Sequence, residues 1–78
     1  MKIEEFIGLK IVESPQNPTQ ITLQAIYDIA EKIHPLKESH PAMLRCIKPN
    51  ENVTDDIRKN RLNLSLNNND IIIDTWWG

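Results

Sequence analysis

The side chains best able to do chemistry crowd into one stretch of this sequence. Asp55 and Asp56 stand side by side, Thr54 precedes them, and Arg58, Lys59 and Arg61 follow within five residues. Adjacent carboxylates cannot serve as an acid–base pair, because such a pair must face one point across a gap. What this spacing allows is ion pairing. In an extended segment neighbours point to opposite sides, so one of the two acids faces outward and the other the body. Arg61 can then reach back and hold that inner carboxylate with a two-pronged, charge-assisted bond. Other candidates carry less. His34 and His40 each precede a proline and lack carboxylate or cysteine companions at ligand spacing, so they read as surface loop histidines, with no metal or other cofactor expected. Cys46 falls in an apolar segment and reads as a packing residue rather than a nucleophile. Ser39-His40 has no third member and no strand–turn–helix context for a hydrolase. An enzyme is not expected.

The chain must build its scaffold from little material. Seventy-eight residues make one domain, and a chain of this size buries only ~60–65% of its unfolded surface, so its core is thin. A hydrophobic fraction of 40% and a charged fraction of 26% are ordinary for a globular protein. The net charge of −2 gives no reason to expect nucleic acid or an anionic membrane as partner. The basic run at 58–61 is too short for a nucleic-acid footprint and is balanced by the acids beside it. The single cysteine cannot form an internal disulfide. The chain opens on Met1 with no apolar run of signal-peptide or membrane-spanning length, so a cytosolic protein is expected.

Residues 1–20 read as an N-terminal arm and loop, with Phe6, Ile7 and Leu9 packing on the core. Asn17-Pro18 suits a helix entry, and a start nearer Thr22 is the alternative. Ile21, Ala25, Ile26, Ile29, Ala30 and Ile33 recur at spacings of three and four, predicting an amphipathic helix over 21–34 with Gln24, Asp28, Glu31 and Lys32 facing water. Pro35 and Pro41 forbid its continuation. Residues 43–48 form a short apolar strand between prolines, and 49–60 an exposed loop. Leu62, Leu64 and Leu66 alternate with Asn63 and Ser65, residues 67–70 are turn formers, and 71–77 are β-branched and aromatic; together 61–77 predict a hairpin. One of the two terminal tryptophans is expected in the core and the other on the surface. A helical turn over 53–61, capped by Thr54, fits the charges. Only Val53 and Ile57 would support it, however, so an exposed loop is the better reading. The fold class is therefore α+β, one helix packed on a small mixed sheet.

Residues 45–78 resemble the small bacterial and fungal peptidase inhibitors related to potato inhibitor I. Those relatives carry an Arg-apolar-apolar-basic-Pro strand, a short polar loop, Val-Thr-x-acid, an Arg, and Arg-Leu-Asn-Val leading to a turn and a terminal glycine. The matching residues here are Arg45, Pro49, Val53, Thr54, Asp56, Arg58, Arg61, Leu62, Asn63 and Gly78. The resemblance implies a potato inhibitor I-like fold and a serine protease as partner, held by a substrate-like loop. The bond offered would be Asp55–Asp56, with Asp55 entering the primary specificity pocket. Asn52, Val53 and Thr54 would line the cleft before it and Ile57 and Arg58 beyond it, while Arg61, Asn63 and Gly78 support the loop from beneath.

Two departures stand out. Where relatives often join the N-terminal region to the residue before the terminal glycine by a disulfide, this chain has Trp77 and no partner cysteine. The position of Asp55 is usually large and uncharged, which suits subtilisin-like or chymotrypsin-like pockets. Three alternatives follow: the target prefers acidic residues, the chain is a weak inhibitor of broader subtilisin-like or chymotrypsin-like enzymes, or this copy of the scaffold is a non-inhibitory binding module of the immunity or antitoxin kind. A monomer is expected in each case.

Overall fold

The computed structural model describes residues 2–34, 36 and 40–78. Its elements, in order, are a 3-10 turn (Ile3–Phe6), strands β1 (Lys10–Ile11) and β2 (Gln20–Ile21), helix α1 (Leu23–Ile33), and strands β3 (Met43–Ile47), β4 (Arg61–Leu66) and β5 (Ile72–Trp77). The fold is α+β. β4 lies at the centre of a mixed three-stranded sheet, parallel to β3 and antiparallel to β5, and a small parallel pair β1–β2 stands beside it. The helix stop at Pro35 and the Ser39-His40 pair rest wholly or in part on residues outside those described.

The helix begins at Leu23 because Thr22 caps it, its hydroxyl accepting the Ala25 N–H at 3.0 Å. Asn17-Pro18 does not start it. The Asn17 side chain instead accepts the Thr19 N–H at 2.9 Å, a local turn. Ile26 and Ala30 are buried, with Tyr27 and Ile29 packed partly against the core. Glu31 faces water only in part: its carboxylate accepts the Ala42 N–H at 2.6 Å and ties the helix to the entry of β3.

Leu62, Leu64 and Leu66 of β4 bury their side chains with Ile72, Ala42, Phe6 and the helix stripe. Each fully buried aliphatic or aromatic side chain contributes about 1.5–3 kcal/mol. Phe6 is drawn in by an arm that closes the outer edge of β5. Gly8, at φ 97° where a side chain would be strained, donates its N–H to Ile72 O at 2.8 Å, and Ile72 N–H returns to Leu9 O at 2.9 Å. Ile7 stays on the surface. The β4–β5 turn is built by Asn67, whose side-chain oxygen accepts the N–H groups of Asn69 and Ile71, with Asp70 in left-handed backbone.

His34 is buried rather than on the surface. It caps the end of α1 beside Trp77, ring centroids 6.4 Å apart, and its Nδ1 accepts the Leu36 N–H. His40 is exposed. Trp77 packs partly against the core while Trp76 is exposed. Cys46 is half-buried in β3, and burial pushes its thiol pKa up. Among the described residues no three His, Cys, Asp or Glu side chains gather at a point, and no helix is long and apolar enough to cross a membrane.

Candidate functional site

Parallel pairing of β3 with β4 forces a long crossover, and residues 48–60 supply it as an exposed loop. Both feet are fixed by turns. At the first, Glu51 N–H bonds Lys48 O at 3.2 Å, the Glu51 carboxylate accepts the Lys48 N–H at 2.7 Å, and Asn50 takes φ 66°. At the second, Arg61 N–H bonds Arg58 O at 3.0 Å. There Asn60 is buried, unlike the rest of the loop, and donates to Pro41 O at 2.7 Å. Between these feet residues 52–58 contain no helical turn, only a bend at Asp55, and all are exposed. Val53 and Ile57 therefore do not pair as a helix face; Ile57 is 79% exposed.

The loop is held from beneath. Arg61, 6% exposed, donates from Nη2 to Asp56 O at 2.8 Å, from Nη1 to Asp56 Oδ2 at 3.3 Å and from Nε to Gly78 O at 2.9 Å. Gly78 O also accepts from Asn63 Nδ2 at 3.0 Å, so the arginine is aimed by a fixed acceptor. From the solvent side Arg58 Nε reaches Asp56 Oδ2 at 3.2 Å. The Thr54 hydroxyl donates to Asp56 Oδ1. The bonds from Thr54 and Arg58, with the Arg61 charge beside them, lower the Asp56 pKa from 3.8 to about 2.

Asp55 behaves differently. It sits at the bend, exposed, and among the described residues its carboxylate has no hydrogen-bond or ion-pair partner. Of the three acids in the crossover, Glu51 and Asp56 are committed to the fold and Asp55 is not.

The geometry thus brings Thr54, Asp56, Arg58, Arg61, Asn63 and Gly78 into one network and leaves Asn52, Val53, Asp55 and Ile57 projecting from it. Sequence reasoning gave Arg45 no role beyond its place in a strand pattern, yet it joins the network. Its Nε donates to Asn63 Oδ1 at 2.7 Å and its Nη1 to the Thr54 hydroxyl at 3.3 Å. The signal was there only if β3 and β4 were known to be parallel with Arg45 opposite Asn63. Among the described residues, open grooves of about 420 and 430 Å³ lie elsewhere, one along Ile11–Glu13 with the start of α1 and one between the 3-10 turn, Ile33 and Trp77. The loop itself is a projection. No family model, no curated protein and no solved structure matches the chain.

Proposed function

We propose that this protein inhibits a serine protease by offering residues 52–58 as a substrate-like strand, on a scaffold of the potato inhibitor I kind. Asp55–Asp56 is the bond presented and Asp55 the side chain that enters the primary specificity pocket. The observation that carries this reading is an exposed, non-helical loop whose backbone is gripped beside that bond by a buried guanidinium, through Asp56 O at 2.8 Å. Ordering a flexible peptide costs ~1–2 kcal/mol per residue. A loop ordered before binding avoids that loss, so its contacts appear as affinity. If the bond is cut, Asp56 stays held, and rejoining competes with release.

The free carboxylate of Asp55 narrows the target. An apolar pocket would bury it unpaired at a cost of several kcal/mol, so the fitting enzyme lines its pocket with positive charge and selects acidic residues. Subtilisin-like and chymotrypsin-like enzymes are the weaker fits. Neither nucleic acid, membrane nor cofactor enters this role, and nothing in it requires the protein to catalyse a reaction. The reading takes it to act as a cytosolic monomer.

A second reading rests on β5, where Ile73 and Trp76 stay exposed at 54% and 38%. These would serve a non-inhibitory binding module of the immunity or antitoxin kind. One panel separates the two. Wild type and Asp55→Leu are titrated against serine proteases of acidic, large-apolar and basic preference. The inhibitor reading expects wild type to block the acid-selective enzyme and Asp55→Leu to shift inhibition toward the apolar-selective ones. If neither form slows any enzyme while the fold is intact, the binding-module reading replaces it.

A further inference from the structure

We infer that Arg45 is a second positioning residue for the loop, fixing the Thr54 side of the apex as Arg61 fixes the Asp56 side. The inference deepens the reading of residues 52–58 as a presented strand, but its physical content is testable without any protease.

Arg45 and Asn63 are directly opposite in the parallel β3–β4 register, so their side chains share one face of the sheet. Asn63 is fully buried, and its Nδ2 donates to Trp76 O at 3.3 Å and Gly78 O at 3.0 Å. With both amide hydrogens directed at carbonyls, Oδ1 must point the other way, toward Arg45 Nε at 2.7 Å. That bond sets the plane of the guanidinium and directs Nη1 at the Thr54 hydroxyl, 3.3 Å away. The hydroxyl accepts there and gives its own hydrogen to Asp56 Oδ1.

The contacts close a ring. From Arg45 it runs through Asn63, Gly78 O, Arg61, Asp56 and Thr54 back to Arg45. Asp55 is the one residue of 54–56 outside it, so the ring grips the chain on both sides of Asp55 and leaves its side chain free. Hydrogen bonds linked in this way strengthen one another, and an ionised partner makes each firmer. A valine at 54 could neither accept from Arg45 nor donate to Asp56. A lysine at 45 offers a point charge without the planar fork that serves two acceptors at once.

Backbone ¹⁵N relaxation on the full chain at neutral pH tests the assignment. The informative variant is Arg45→Gln, whose Nε2 stands where the arginine Nε does, keeping the Asn63 bond while losing the reach to Thr54. Its order parameters at residues 53–55 are expected to fall from about 0.85 to below about 0.6, with the 58–61 turn and β4 unchanged. Arg45→Lys is expected to loosen the same residues, and Thr54→Val to do so in a fully folded protein. An unchanged order parameter at 53–55 in Arg45→Gln, or in Thr54→Val, would overturn the inference. Where an inhibited protease is in hand, Arg45→Gln is also expected to be cut between Asp55 and Asp56 faster than wild type. If no protease binds wild type at all, the inhibitor reading fails on its own, and relaxation still decides the role of Arg45.

Discussion

At the scale of single residues the loop separates two aspartates that look equivalent in sequence. Asp56 is structural, bonded to Thr54, Arg58 and Arg61, and Asp55 is exposed at the bend, with no such bond among the described residues. Because the Asp56 pKa is lowered to about 2, its contribution to holding the loop is complete above the unstructured value near 3.8 and disappears as pH falls through about 2. Loop order parameters are therefore expected to stay constant from pH 7 to about 4 and to drop between about 4 and 2, and in Asp56→Asn to be low and flat across that range. Arg61→Ala removes a buried donor of three bonds and leaves Asp56 O without its partner from below. A loss of about 1–3 kcal/mol in denaturant unfolding is expected. The Arg61–Asp56 pair was legible because both charges lie in one short stretch. Arg45 was not, because its partners at 54 and 63 are set by strand register. Nor was His34, where a proline neighbour suggested surface and tertiary packing against Trp77 decided otherwise.

At the scale of elements, the amphipathic stripe of α1 and the leucine alternation of β4 could be read directly, since each follows the period of its backbone. The helix nevertheless starts at Leu23, and of the two candidate entries the hydroxyl of Thr22 is the one that caps it. Thr22→Ala is expected to cost about 1 kcal/mol in thermal unfolding while leaving the loop unchanged. Strands of two residues such as β1 and β2 leave no periodicity to detect. Alternation placed Asn63 on the face opposite the leucines without showing how deeply that face is covered. Asn63 is buried, and Arg45, Trp76 and Gly78 take all three of its amide hydrogen bonds. The parallel β3–β4 pairing matters most here. It demands the long crossover that becomes the loop, and it places Arg45 opposite Asn63 beneath it.

At the scale of the whole molecule, the thin core expected of a chain this short is one helix stripe, one leucine row, Ala42, Ile72 and the arm residue Phe6. Leu64→Ala is expected to cost about 2–5 kcal/mol by equilibrium unfolding, a large part of the 5–15 kcal/mol typical of a domain. Its effect on any protease should track the folded fraction alone, unlike Arg61→Ala, which should change the loop in a folded molecule. The α+β class was readable from pattern. The closure of β5 by the arm was not, because it depends on backbone pairing of residues 8–11 with 70–72 that no side-chain pattern encodes. The central claim is that a taut loop, rather than a particular contact, turns a cleavable segment into an inhibitor. It is tested most directly by incubating wild type and Arg61→Ala with an acid-selective serine protease and following chain mass over time. Wild type should suppress the enzyme and persist largely intact, with any cut confined to Asp55–Asp56, while Arg61→Ala is cut there and released. Equal rapid cleavage of both forms, or of neither with the enzyme fully active, would contradict it.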